Sequence, residues 1–456
     1  MIGSFKKVLW LCVALVSIFG STAVNASAQT TPFLQPINVQ PSPSPTPLVK
    51  KTSSVTPVTP DVSNPASSPD LAIPGYTGIL IETLDGKVIR ENYSDYTFNP
   101  ASNVKVATSY AVLKTFGPEY RFPTNVYHDG TIDKTTGTLN GNLYISGRDP
   151  VFNYENAVSI ADALNKLGIR SVSGDLIVTD RFVLNYTESA QRSGQMMIAT
   201  LDSGRRSVAA TRAWLDFLSA SGKAAQGVYV PSVSVSGSLY VDIIPSSAKL
   251  LFTHESAPLK ESVKVMMCYS NNFVAELMGD MLGGPYAVAR IVQMNTGVQP
   301  QEFTLQTSSG LGINRVTPRA MMKLLRALRA ELAKYKMTFA DIMPVAGVDP
   351  GTLQNRFKSG PALGSVVGKT GTLGNTDGGV SALCGEMQTR DGGKMLFVIF
   401  NQRGTPARFR SFQDSYISMI QSQFGGPASL GYSTQALAMR LSKSRITYPT
   451  SSAASN

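Results

Sequence analysis

The chain is 456 residues long, 43% hydrophobic and only 16% charged, with a formal net charge of +11. That length supports two or three domains with sizeable cores. No Lys/Arg run is dense enough for a nucleic-acid site, so the basic balance suits anionic envelope polymers or a merely solvated surface. With two His and three Cys in all, a His-based triad, a zinc site or a disulfide framework would use almost every such residue, and neither metal nor cofactor is expected.

Lys6 and Lys7 precede a short apolar run over 8–20, too short to span a bilayer comfortably, and Ala26-Ser27-Ala28 is a small-residue cleavage site. Residues 1–28 are therefore expected to be a secretory signal, the alternative being an uncleaved anchor. The mature chain is expected in the periplasm or another extracytoplasmic part of the envelope, with Cys268 and Cys384 as its only thiols. Residues 29–70 are rich in Pro, Ser and Thr and cannot bury enough apolar area to fold, which predicts an extended, disordered linker.

Order is expected from Gly75. Residues 78–83 and 88–92 are strands around the Asp85-Gly86 turn. Pro100 keeps Asn99 extended, and a helix runs from about 102 to 116, ending at Gly117-Pro118. Residues 123–258 differ in texture, with strands over 141–145 and 174–178, a helix over 157–167 and a strand-like stretch over 228–244. They are expected to form an inserted, mostly β domain. Helix returns over 259–282. Thr317-Pro318 opens a further helix with Met321, Leu324, Leu325, Leu328 and Leu332 on one face. Strands over 365–368, 379–387 and 395–401 follow, the last two turned by Asp391-Gly392-Gly393. An amphipathic helix covers 407–424, and 425–456 is expected to be a loose tail. Two strands and a helix before the insert, with helices and three strands after it, fit an α+β domain made of 71–122 and 259–424. Its expected core is an antiparallel sheet with helices on both faces.

Three short elements carry chemistry. Ser102-Asn103-Val104-Lys105 puts a hydroxyl and an amine on one face at a helix start. A serine needs a base to become a nucleophile. A lysine whose charge is disfavoured by burial and nearby cations can be that base, while the helix N-terminus favours developing negative charge. Ser270-Asn271-Asn272 supplies a hydroxyl to relay a proton and an amide to hold a carbonyl. Lys369-Thr370-Gly371 lies on a strand, where Lys369 and Thr370 can bind a carboxylate and Gly371 leaves room for a peptide. The N–H groups of Thr372 and Ser102 can form an oxyanion hole. Ser4…Lys7 and Ser246…Lys249 share the first spacing, so that pattern alone is weak. The three elements in order are specific to penicillin-binding proteins and class A β-lactamases. The bland alternative makes Ser102 a helix cap and Lys105 a surface residue.

The chain resembles the class C low-molecular-mass penicillin-binding proteins of the S13 peptidase family over about residues 72–424. The resemblance rests on Phe98-Asn99-Pro100-Ala101-Ser102-Asn103-Val104-Lys105, Phe116-Gly117-Pro118, Arg121-Phe122, Gly147-Arg148-Asp149-Pro150, Tyr269-Ser270-Asn271-Asn272, Ser309-Gly310-Leu311, Gly351-Thr352-Leu353 and Val367-Gly368-Lys369-Thr370-Gly371-Thr372. It implies the serine β-lactamase/penicillin-binding-protein fold. It also implies D-alanyl-D-alanine carboxypeptidase activity on peptidoglycan stem peptides ending in D-Ala-D-Ala, through an acyl-enzyme on Ser102. Lys105 would be the base, Ser270 the proton relay, and Asn272 and Lys369 would hold and polarise the site. β-Lactam antibiotics would acylate the same serine, and some members also cleave peptide crosslinks as endopeptidases. The chain departs from the family pattern in a shorter insert, in lacking a Trp-rich segment with an Asp after Phe182, and in Ser308, where an Asp is expected. Two rivals remain. One is a β-lactamase of the same fold using Glu302 to place water. The other is a non-enzymatic peptidoglycan-binding module, which the linker and charge suit.

Overall fold

The computed structural model describes residues 71–223 and 230–449, so the expected signal segment and linker lie outside the described residues. β1 (Tyr76–Thr83) and β2 (Val88–Asn92) form a hairpin. α1 (Val104–Phe116) follows a single 3₁₀ turn over Ala101–Asn103. Every residue from Val104 to Leu113 is buried, so α1 is a central core helix rather than a surface one.

The next stretch contributes β3 (Pro123–His128), β4 (Leu143–Gly147), α2 (Tyr154–Lys166), β5 (Leu176–Val178), α3 (Ala190–Leu201), α4 (Val208–Ala220), β6 (Leu239–Val241) and β7 (Lys249–Glu255). It has an apolar cluster of its own, which includes Val126, Ile145, Ile160, Leu164, Val178, Met197 and Phe252. The mostly β character expected here is corrected, because three helices stand beside the short strands. The side chains of Ser189 and Ser207 accept hydrogen bonds from Arg192 N and Ala210 N and so cap α3 and α4. Those two serines were the start signals available in the sequence.

α5 (Leu259–Tyr269), α6 (Asn272–Asp280), α7 (Pro285–Thr296) and α8 (Pro318–Ala333) come next. The helical character expected over 259–282 is present as two helices that meet at Ser270, which adopts a left-handed conformation (φ 55°, ψ 40°). Thr317 caps α8 by accepting from Ala320 N, and the apolar stripe from Met321 to Leu332 is buried as its period requires. β8 (Val366–Leu373), β9 (Val380–Thr389) and β10 (Gly393–Gln402) complete a five-stranded antiparallel sheet in the order β8-β9-β10-β1-β2. Strands from far apart in the chain therefore pair, with Ile79 opposite Ile399 and Thr83 opposite Met395. One face packs Ile79, Phe397 and Ile399 against Phe412, Ile417 and Ile420 of α9 (Pro406–Gln423). The other packs Leu80, Val398 and Phe400 against α1 and α8.

The tail expected to be loose after Gly425 is instead built into the fold as far as residue 449. α10 (Leu437–Leu441) sets Leu437 against Val265 and Cys268 of α5. β11 (Arg445–Thr447) pairs with β7 and closes a six-stranded sheet, β6-β5-β4-β3-β7-β11. The tail also closes over a buried polar knot. Lys264 and Asp349, both with fully buried side chains, pair at 2.6 Å. Lys264 gives its other two protons to Ala340 O (2.8 Å) and Met343 O (2.6 Å). Asp349 also accepts from Val345 N (2.8 Å), Tyr432 Oη (3.0 Å) and Thr434 Oγ1 (2.8 Å). Arg440 joins through Tyr432 Oη (3.0 Å) and Glu261 (2.8 Å). The anchors are single polar residues among Gly, Ser and Pro, so they leave no periodic signal.

The turn after Asp349 is pressed against the last turn of α5, where Thr352 N donates to Cys268 O (3.0 Å). Gly351 stands at φ 101°, and a methyl group there would fall inside the Cys268 carbonyl oxygen. Gly351→Ala is expected to lower stability by about 2–3 kcal/mol, read as a lower denaturant midpoint at unchanged m-value.

Candidate active site

Ser102 is the middle residue of the 3₁₀ turn that leads into α1, and Lys105 sits in the first turn of the helix. Lys105 is fully buried. Its Nζ donates to Ser102 Oγ (3.1 Å), Asn272 Oδ1 (2.7 Å) and Ser309 O (2.6 Å), which uses all three ammonium protons. Burial, and then the nearby Lys369 ammonium, push its pKa down to about 6, with Glu276 opposing. Near neutral pH the amine is therefore largely uncharged, and its lone pair can take a proton from the serine it touches.

Ser270 owes its position to the break between α5 and α6, since its left-handed backbone turns the chain out of α5. The middle residue of that motif, Asn271, is structural, since its side chain caps α6 by accepting from Val274 N (3.1 Å). Asn272 thereby begins α6 and faces Lys105. On β8, Lys369 is fully buried and donates to Ser270 Oγ (2.9 Å) and Thr370 O (2.7 Å). Burial pushes its pKa down to about 7. Ser102, Lys105 and Asn272 thus form one hydrogen-bonded group, and Ser270 and Lys369 a second whose ammonium acts on Lys105. Thr370 is half-buried, Gly371 buried and Thr372 exposed along the same strand. The reason expected for Gly371 is corrected. A Cβ there would lie 2.7 Å from Pro100 O and 3.0 Å from Ala101 Cβ, so the space is filled by the turn that carries Ser102.

Glu276 escaped the sequence reading. Its two carboxylate oxygens accept from Ser308 N and Ser309 N, both at 3.0 Å, and so fix the loop whose Ser309 carbonyl meets Lys105. The available signal was its place one turn after Asn272 on the same helix. Ser308, standing where an Asp was expected, is fully buried, and its Oγ has no partner. Arg315 pairs through both guanidinium nitrogens with Asp377 (3.0 and 2.8 Å). Glu302 caps its own 3₁₀ turn, its carboxylate accepting from Gln299 N (2.9 Å). Met266, Met267 and Met278 are core. Cys268 and Cys384 are free and buried, each thiol pushed up to about 12 by burial. Next to Asn272 and Leu311 a cavity of ≈ 640 Å³ runs between α6 and the 180–188 loop, with Arg148, Arg181 and Glu188 on its far wall.

The D-Ala-D-Ala carboxypeptidase 3 (S13) family model matches residues 61–193 and 219–447. A D-alanyl-D-alanine carboxypeptidase of Actinomadura sp. (strain R39) is 25% identical over 77% of this chain and 82% of its own length. A carboxypeptidase of Mycobacterium tuberculosis is also 25% identical, over 78% and 82%. A predatory endopeptidase of Bdellovibrio bacteriovorus, solved acylated by penicillin G, shares the fold with a TM-score of 0.68 at 21% identity, covering 82% of this chain and 99% of that one. Penicillin binding protein 4 of Haemophilus influenzae shares it at 0.53 and 21% identity, covering 81% and 95%. With the family model spanning most of its length, the chain belongs to the D-Ala-D-Ala carboxypeptidase (S13) family and is a serine peptidase.

Proposed function

We propose that the protein removes the terminal D-Ala from peptidoglycan stem peptides through an acyl-enzyme on Ser102. The observation that carries this is the contact between Ser102 Oγ and a lysine too deeply buried to keep its charge. Neutral Lys105 takes the Ser102 proton as Oγ attacks the carbonyl carbon of the penultimate D-Ala. The oxyanion is met by the N–H groups of Ser102 and Thr372. Ser270 passes a proton to the departing amine, the C–N bond breaks, and D-Ala leaves. Asn272 orients the acyl part, while the Lys369 ammonium and Thr370 hold the terminal carboxylate. Water then hydrolyses the ester. The cavity beside Asn272 gives the rest of the stem a place to lie. A peptide crosslink ends in the same kind of bond, so DD-endopeptidase cleavage follows from the same site.

A β-lactam presents a strained amide with a carboxylate and acylates Ser102 in the same way, but its leaving group stays tethered. The reading of residues 1–28 as an export signal supports a site in the periplasm or elsewhere in the cell envelope. A β-lactamase would need a carboxylate free to hold water, and Glu302 is engaged as a cap.

A fluorescent penicillin tests the assignment. Wild type is expected to keep a long-lived label, Ser102→Ala none, and mass analysis of a stem pentapeptide to show loss of one D-Ala. Rapid release of the label would favour a β-lactamase, and an unlabelled wild type a non-enzymatic wall-binding module.

A further inference from the structure

Asn99 is fully buried and ties four parts of the chain together. Its N–H donates to Gln402 Oε1 (3.2 Å) at the end of β10, and its Oδ1 accepts from Ala101 N (3.1 Å) in its own turn. Its Nδ2 donates both to Gly312 O (2.9 Å) and to Asp377 Oδ2 (2.8 Å). The last partner lies in the loop that follows β8, five residues past Thr372. Asp377 is itself pinned by Arg315. Burial raises the Asp377 pKa, but the hydrogen bonds from Arg315 and Asn99 outweigh it and hold the carboxyl below its usual value, so it stays charged.

Two strained residues meet at this knot. Ala101, directly before Ser102, has φ 46°, and Asp377 has φ 52°. A non-glycine residue keeps such a backbone only where its surroundings hold it there. The turn over Ala101–Asn103 has no side-chain cap of its own. Asn99 Oδ1 on Ala101 N, and the close fit of Gly371 against Pro100 and Ala101, are what resist its relaxation.

We propose that Asn99 and Asp377 are positioning residues for acylation: they lock the turn bearing Ser102 to the loop that ends β8, so that the N–H groups of Ser102 and Thr372 keep one spacing. This rests on Ser102 being the nucleophile. Neither residue touches substrate. Their effect is on the alignment of donors that act only when the oxyanion forms, so the loss falls on the acylation step and not on substrate affinity. The knot is also a unit, because the one bond that joins the turn to the loop is lost when either member is removed, and the two losses do not multiply.

The test separates binding from acylation in wild type, Asp377→Ala, Asn99→Ala and the double variant. Pre-steady-state acylation by a chromogenic β-lactam gives the two constants, mass spectrometry locates the adduct, and thermal unfolding reports the fold. Each single change is expected to slow acylation by about 10- to 100-fold with the binding constant within about threefold. The double variant is expected within about threefold of the worse single. Asp377→Asn keeps an acceptor for Asn99 and is expected to recover part of the loss. A folded Asp377→Ala enzyme that acylates within about twofold of wild type overturns the lock. So does a loss confined to binding, or losses that multiply in the double variant. Asp377 is partly exposed, so its variants decide the matter if Asn99→Ala fails to fold. A wild-type adduct on any residue other than Ser102 removes the catalytic assignment itself, which is a different result from a normal Ser102 adduct with unimpaired Asp377→Ala.

Discussion

Lys105→Met is expected to cut acylation of Ser102 by about 10³-fold, within the range for losing a positioned general base. The substitution keeps the stem and removes the amine. It leaves Asn272 Oδ1 and Ser309 O without their donor, at about 1–3 kcal/mol each, so the protein is expected to fold with lowered stability. The pH profile gives the sharper readout. Only the neutral amine accepts a proton, so acylation efficiency rises as pH climbs through about 6, where Lys105 loses its charge. Lys369 must stay charged to hold a carboxylate, and its pKa is about 7, so efficiency falls again above that. The bell is therefore narrow, and because the two amines share one buried space its limbs belong to the pair. In Lys105→Met the acid limb should vanish from the residual rate while the alkaline limb stays. An acid limb that survives the substitution would show that another group is the base.

Breaking the buried ion pair is expected to have the largest effect on stability. Asp349→Ala leaves the Lys264 ammonium buried with no counter-charge and strips Val345 N, Tyr432 Oη and Thr434 Oγ1 of their acceptor. A cost of about 3–5 kcal/mol follows, large against the total stability of most domains. Replacing both partners, as Lys264→Met with Asp349→Leu, removes the unpaired charge and is expected to regain part of the loss. Guanidinium unfolding of the three proteins checks this. A change below about 1 kcal/mol in Asp349→Ala would mean that water or a rearranged tail satisfies Lys264.

The central sheet was legible because its strands are long, apolar and separated by strong turn signals. Asp85-Gly86 and Asp391-Gly392-Gly393 both fall at hairpins. α8 was legible because Thr317, Pro318 and a leucine stripe agree. α3 and α4 were not, because their start signals are single serines, Ser189 and Ser207, with no proline or capping box beside them. The tail was missed for the opposite reason, since it is held by polar contacts to distant residues. The same division holds at the site. Ser102, Lys105, Ser270, Asn272 and Lys369 sit in short motifs, and the structure joins Lys105 to Ser102 and Asn272, and Lys369 to Ser270. Glu276 and Asp377 act through partners far away in sequence, Ser308 N and Ser309 N for the one and Asn99 and Arg315 for the other, and no local spacing announces them.

The strap formed by residues 430–447 also sets a schedule. Thr447 meets Thr253 across 194 positions, and Tyr432 and Thr434 follow Lys264 in the chain by well over a hundred residues. A growing chain therefore carries the open edge of β7 and a half-satisfied Asp349 until residues 430–447 have been made. Open edges invite pairing with other chains, and closing so long a loop is slow. The helix that seats Ser270 gains its outer contacts, Leu437 on Val265 and Cys268, only when this strap docks.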